Sequence, residues 1–138
     1  MLGNNYLLWE NDDFIIKTPF NPHVPYGEGL HIVIVPKADI RMAWQDSDVS
    51  AEVFRLGAKS CAIMEREGFA PWFNLQANGN WGLLPGETLF FHLHVYGRNK
   101  TDRWGKPILL PEARGTYRND PMPEVDRERL AELFAQEL

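Results

Sequence analysis

The spacing of apolar side chains divides the chain into four β-type runs and two helical stretches. Residues 13–17, with Phe14, Ile15 and Ile16 in succession, read as the first strand, ended by Thr18 and Pro19. A loop from Phe20 to Gly29 follows, dense in proline, glycine and asparagine, the residues that preset turn dihedrals. Residues 30–35 are apolar at nearly every position, without alternation, which predicts a central strand covered on both faces.

Asp46, Ser47 and Asp48 offer helix N-caps, and from Val49 apolar residues recur every three or four positions to about Glu67, where Gly68 stops the helix. Its inward stripe is predicted as Phe54, Gly57, Ala58, Cys61 and Met64. Residues 72–76 and 88–96 read as strands, separated by a loop carrying Asn78, Gly79, Asn80, Gly82, Pro85 and Gly86. Residues 101–122 are charged and proline-rich without a clear period, and the spacing of Val125, Leu130, Leu133 and Phe134 predicts a closing helix over residues 123–138. Strands, one long helix, strands again and a terminal helix make an α+β order in which antiparallel pairing is expected.

A length of 138 residues suits one domain, and 44 % hydrophobic with 24 % charged residues is the balance of a globular chain. The net charge of -5 argues against a nucleic-acid partner, because non-specific affinity for phosphate backbones needs clustered Lys and Arg. No run approaches the roughly 20 apolar residues of a membrane span, and the first ten residues lack a secretory pattern. The expectation is a soluble cytoplasmic protein with no membrane partner. Cys61 is the single cysteine, which excludes an internal disulfide and predicts a buried thiol.

The chemistry concentrates in residues 89–96. Side chains alternate along a strand, so Leu89, Phe91, Leu93 and Val95 make an apolar face, while Phe90, His92, His94 and Tyr96 share the other. Same-face neighbours lie about 7 Å apart, close enough for two imidazoles to address one phosphate. Histidine, with an ordinary pKa of about 6.5, serves near neutrality as nucleophile, base or acid. Three uses fit the pair: cross-strand partners on a partly wet sheet face, a nucleophile with an acid or base, or two metal ligands completed by His23 or His31.

The run from Phe90 to Arg98 resembles the signature of the histidine triad superfamily, three histidines alternating with apolar residues before a short turn ending in arginine. Counted back from Gly97 and Arg98, His94 falls on the third histidine, His92 on the middle one and Phe90 on the first. Asn80, Trp81 and Gly82, then Gly86, Glu87 and Thr88, are similar to the family's Asn-x-Gly and Gly-Gln-Ser/Thr elements. Gly29 to Lys37 resembles its Gly-His-strand-Pro-Lys segment, with His31 as the supporting fourth histidine.

The resemblance implies a single domain over residues 1–138, with a motif core at about 13–98 and an extension and helix at 99–138. It implies an antiparallel sheet of about five strands with one long helix and a C-terminal helix. It further implies attack by His92 on the α-phosphate of a nucleoside phosphoramidate or dinucleoside polyphosphate, giving a nucleotidyl-histidine that water resolves. His94 and His31 complete the catalytic set, Asn80, Gly86, Glu87 and Thr88 bind substrate, and no cofactor or metal is needed. A homodimer is implied as well.

Four departures separate this sequence from that pattern: Phe90 in place of a histidine, Glu87 in place of glutamine, Asp39 where a histidine is common, and one residue fewer between Thr88 and His92. They leave three alternatives open: a nucleotide-binding module without turnover, a metal-dependent hydrolase using the His-x-His pair, and a shifted register with His92 first, His94 as nucleophile and Tyr96 third.

Overall fold

The computed structural model describes residues 2–86, 88–100 and 118–138; Glu87 and most of the predicted irregular segment, 101–117, lie outside the described residues. Five strands form one antiparallel sheet: β1 (Asn5–Glu10), β2 (Phe14–Pro19), β3 (Gly29–Pro36), β4 (Trp72–Gln76) and β5 (Leu93–Arg98), in the order β1-β2-β3-β5-β4. Among the described residues two α-helices complete the α+β architecture, α1 (Ser47–Arg66) between β3 and β4, and α2 (Glu124–Glu137) at the C-terminus. All eight residues of β3 are buried, as the unbroken apolar run requires of a central strand.

β1 is absent from the sequence-based prediction. It pairs with β2 across a turn in which the Asn11 side chain accepts hydrogen bonds from the backbone of Asp13 (2.9 Å) and Phe14 (2.7 Å). Its pattern is hard to read because the register shifts between Leu7 and Trp9, which breaks the period-two alternation. The predicted strand over 88–96 is also corrected, since β5 begins only at Leu93. Continuing the register would set Phe91 opposite Pro36, which has no N–H to give, and Phe91 N instead bonds to Ile40 O at 2.9 Å.

The register decides which side chains share a face. Ile16, Ile34 and Leu93 lie in one row and face the helices. The next row, Leu7, Lys17, Val33, His94 and Gln76, crosses all five strands on the opposite face. The core lies on the helix side, where Ile16, Leu30, Ile32, Ile34, Leu93 and Val95 meet Val53, Leu56, Ile63 and Met64 of α1 and Leu130 and Phe134 of α2. Each such residue is worth about 1.5–3 kcal/mol for full burial.

Helix α1 begins where its cap signal lies. The Asp46 carboxylate accepts from the backbone N–H groups of Asp48 and Val49, both at 3.1 Å. It ends at Gly68, whose φ of +79° lets Gly68 N reach Glu65 O and Phe69 N reach Met64 O. The predicted stripe is rotated, however. Val53, Leu56, Gly57, Ser60, Ile63 and Met64 are buried, whereas Phe54 and Ala58 are exposed and Cys61 is half-buried with its thiol pushed up to about 12 by burial. Gly57 makes the close approach, because a Cβ there would lie 2.8 Å from a Leu93 methyl. Replacing Asp46 with alanine is expected to cost about 1 kcal/mol in denaturant unfolding, leaving two helix N–H groups without their acceptor. Unchanged stability would remove the cap from the account of where α1 starts.

In α2 Leu130 and Phe134 are buried as predicted, while Val125 is exposed. The helix packs on β1 and α1, and its end is tied to α1 by Arg66 with Glu137. Tyr26 donates to Asp126 at 2.6 Å, and Asn119 donates to Pro22 O at 2.9 Å. The segment leading into α2 and its first turn thus hold the loop between β2 and β3 in place. Among the described residues no helix is long and apolar enough to cross a membrane.

Candidate active site

All four histidines of the chain meet on the sheet face opposite the helices. His94 comes from β5 and His31 from β3; His92 stands just before β5, and His23 hangs from the pinned loop. The predicted alternation survives the loss of strand at residues 88–92. His92 and His94 point to one side with their Nε2 atoms 3.0 Å apart, and the His94 and Tyr96 rings lie nearly parallel, 5.5 Å between centroids.

The contacts form a chain with one direction. At one end His92 Nδ1 lies 2.8 Å from Phe90 O, and since a carbonyl only accepts, the proton is on Nδ1. Neutral His92 therefore has a bare Nε2, and His94 Nε2–H donates to it. His94 Nδ1 is then an acceptor, filled by His31 Nε2–H at 2.9 Å. His31 Nδ1 in turn accepts from the backbone N–H of His23 at 3.1 Å. A backbone carbonyl and a backbone N–H fix the two ends, and every tautomer between them follows.

That assignment requires neutral rings, which burial supplies. Desolvation, reinforced by His92, lowers His23 to about 4. It holds His94 far below the ordinary range, and fully buried His31 likewise, with neighbouring histidines adding to each shift. Desolvation also lowers His92, opposed by the Phe90 carbonyl and assisted by the charge of Lys17. In the unfolded chain these imidazoles take a proton near pH 6.5, while the folded His23, His31 and His94 stay neutral well below that. Stability is therefore fully present above that value and falls as pH drops, by about 1.4 kcal/mol per pH unit for each ring that remains neutral. Urea midpoints measured from pH 7 to 5 should decline accordingly. A flat profile would mean that the cluster binds protons in the fold.

His92 also borders a shallow, solvent-open cleft. Its other walls come from the turn after β3 and from residues 77–79 and 89–91. Of the predicted loop residues, Asn80 sits exposed in a 3-10 turn (Asn80–Leu83), and Gly86 and Thr88 are exposed, with no Cβ neighbour within 4 Å at Gly86. None of the three lines the cleft beside His92, whereas Asn78 and Gly79 do. The predicted histidines His31, His92 and His94 are brought together; Asn80, Gly86 and Thr88 stand exposed on the loop, and Glu87 lies outside the described residues.

One participant, Lys17, went unassigned at the level of sequence, and another, His23, entered there only as a candidate metal ligand. Lys17 shares the row of His94, a position its parity with Ile15 makes readable. His23 belongs to the cluster through its own ring as well, with Nδ1 2.8 Å from the buried Tyr96 hydroxyl.

Nitrogen atoms of His23, His31 and His94 lie within 4.8 Å of one another, a group of metal-ligand chemistry. The hydrogen-bond chain works against that use. A metal on His31 Nε2 would move the ring proton to Nδ1, where it would face the His23 N–H, donor against donor.

No family model matches the chain, and no curated protein matches it by sequence. Solved structures do. A histidine triad protein from Sinorhizobium meliloti superposes with a TM-score of 0.67 at 17 % identity, covering 98 % of this chain and 90 % of that one. A zinc-bound histidine triad family protein from Mycobacterium smegmatis gives 0.67 at 20 % identity, over 94 % and 84 % of the two chains. A hypothetical histidine triad nucleotide-binding protein from Sulfolobus tokodaii gives 0.63 at 18 % identity, over 96 % and 83 %. Five antiparallel strands with the long helix after β3 make one known architecture, and the fold of this chain is that of the histidine triad proteins.

Proposed function

We propose that the protein is a nucleotide-binding hydrolase or nucleotidyltransferase of the histidine triad type, acting on the α-phosphate of a nucleoside phosphoramidate or a dinucleoside polyphosphate. The observation that carries this reading is the one-way hydrogen-bond chain ending on the bare Nε2 of His92. The similarity to a Sulfolobus protein described as nucleotide-binding supports the ligand class.

In the resting site His94 Nε2–H caps the His92 lone pair. A phosphoryl oxygen is a stronger acceptor than a neutral imidazole nitrogen, so bound substrate draws that N–H to itself and frees His92. Nε2 then bonds to phosphorus as the bond to the leaving group breaks. The leaving group keeps the electron pair and takes a proton from solvent. The nucleotidyl-imidazole retains its Nδ1 proton and carries positive charge, which the Phe90 carbonyl faces at 2.8 Å. Water next bonds to phosphorus, the P–N electron pair returns to Nε2, and the water's surplus proton leaves to solvent.

His94 thus holds a phosphoryl oxygen, and His31 holds His94 in its donating tautomer. Lys17 adds positive charge on the same face. Asn80, Gly86, Glu87 and Thr88 are proposed to meet ribose and phosphate in the bound state. A cytoplasmic homodimer without nucleic-acid partners completes the reading, and the negative net charge supports its last element.

The test is incubation with an adenosine phosphoramidate and with a dinucleoside polyphosphate. Release of a mononucleotide is expected. Calorimetric binding of AMP or GMP with no turnover of either substrate would select a binding module instead. The nitrogen cluster favours a second reading, a metal-dependent hydrolase. The tautomer argument predicts purified protein with zinc and iron well below one ion per chain, and stoichiometric metal surviving dialysis would reverse that preference.

A further inference from the structure

The His23 N–H that closes the histidine chain is not an isolated donor. It belongs to the peptide group shared with Pro22, which is planar and trans, so the Pro22 carbonyl points the opposite way in the same plane. Asn119 Nδ2 donates to that carbonyl at 2.9 Å and lies 3.4 Å from His23 O as well. Both partners are carbonyls, which only accept, so the NH2 of Asn119 and not its oxygen faces them. One peptide group is therefore gripped at both ends, by Asn119 on the Pro22 oxygen and by His31 Nδ1 on the His23 hydrogen.

A peptide in this place has a polarity that rotation of its plane reverses, exchanging C=O for N–H. Reversed, it would turn the Pro22 oxygen toward His31 Nδ1, which would then have to carry the ring proton. His31 Nε2 would be bare and His94 would donate to it from Nδ1, leaving two lone pairs face to face between His94 Nε2 and His92 Nε2. Asn119 opposes that rotation, which would set the His23 N–H against its own N–H, donor to donor. Its bond also polarises the amide and makes the His23 N–H a better donor to His31. Neighbouring contacts hold Asn119 where it acts. Tyr26 N donates to Asp120 O at 3.5 Å, the Tyr26 hydroxyl donates to Asp126, and His23 Nδ1 lies 2.8 Å from the Tyr96 hydroxyl.

We propose that Asn119 is a positioning residue of the histidine site, the outer donor whose grip on the peptide between Pro22 and His23 sets the direction of every hydrogen bond from His31 to His92. It acts on His92 through that peptide, His31 and His94. The consequence for turnover rests on the reading of His94 Nε2–H as the donor to a phosphoryl oxygen; the proton order itself does not.

The experiment reads the ring nitrogens directly, in long-range proton–nitrogen spectra of protein with labelled histidine, at about pH 8 where the rings are neutral. Wild type should show bare Nδ1 and protonated Nε2 on both His31 and His94, with a coupling across the hydrogen bond between the His23 amide nitrogen and His31 Nδ1. Asn119→Leu removes the donor at similar volume, and the two nitrogen signals of each ring should move toward one another as tautomers mix. Asn119→Asp keeps the shape but replaces the donor with an acceptor, which favours the reversed peptide. There the Nδ1-protonated tautomer of His31 should predominate. With an adenosine phosphoramidate, kcat should fall about 3- to 10-fold in the leucine variant and further in the aspartate one, with KM within about two-fold.

Wild-type nitrogen shifts in both variants overturn the proposal, whatever the melting temperature does, and reduce Asn119 to a fastening of the loop. Absence of the coupling in wild-type protein overturns it without any variant. Reversal in the aspartate variant, with no turnover by wild type, would support the polarity lock and remove the catalytic reading alone.

Discussion

Replacing His92 with asparagine is expected to lower turnover of an adenosine phosphoramidate by at least about 1,000-fold, equivalent to roughly 4 kcal/mol of barrier, with the fold unchanged. The two halves of that expectation have separate physical grounds. Asparagine has an amide N–H that can replace Nδ1–H as donor to the Phe90 carbonyl, so the local hydrogen bond has a successor. It has no basic nitrogen to form a bond to phosphorus. In wild-type protein quenched during turnover, a nucleotidyl adduct should appear on the peptide containing His92 and be absent from the variant. The shifted register with His94 as nucleophile predicts the adduct two residues later. Geometry weighs against that register, because His94 is buried, its Nε2 carries the proton donated to His92, and its lone pair, on Nδ1, faces the buried His31 ring. Wild-type turnover in His92→Asn would sink the assignment.

Much of this arrangement was legible in the sequence because it depends on periodicity. Nothing beyond two-residue alternation is needed to bring His92 and His94 to one side, and the apolar run of β3 announces its central place. The capping residue Asp46 and the stop at Gly68 likewise act through backbone groups a few positions away. What escaped depends on register or on distance along the chain. β1 hid behind its bulge, and the inner stripe of α1 was rotated because Phe54 looks like core while polar Ser60 is buried alongside the predicted Gly57. The shared row of Lys17 and His94 is fixed only by the pairing of β2 with β3 and of β3 with β5. His23 enters the cluster because residues nearly a hundred positions later pin its loop. The cleft assembles the turn after β3, residues 77–79 and residues 89–92, three pieces that no local pattern joins.

Substituting phenylalanine for His31 is expected to destabilise the protein by about 2–4 kcal/mol and to slow turnover about 10- to 100-fold, although His31 is too deeply buried to touch substrate. Phenylalanine keeps the ring shape and removes two hydrogen bonds at once. The His23 N–H loses its acceptor and His94 Nδ1 its donor, and each stranded buried group costs about 1–3 kcal/mol, partly offset by the apolar ring. The kinetic effect has a different origin. Without the His31 proton pointing at it, His94 Nδ1 is free to become the protonated nitrogen. In that tautomer His94 presents a lone pair to the His92 lone pair, and no longer has an Nε2–H to offer a phosphoryl oxygen. The loss should therefore appear mainly in kcat. His31→Gln separates the two effects, since a glutamine amide can give a proton to His94 and accept one from His23, restoring the direction of the chain at imperfect geometry. Turnover recovered by glutamine, at a stability still below wild type, marks His31 as a positioning residue that acts through His94. Equal turnover in the two variants would reduce it to a packing residue and leave the proton order of the cluster without a role in the chemistry.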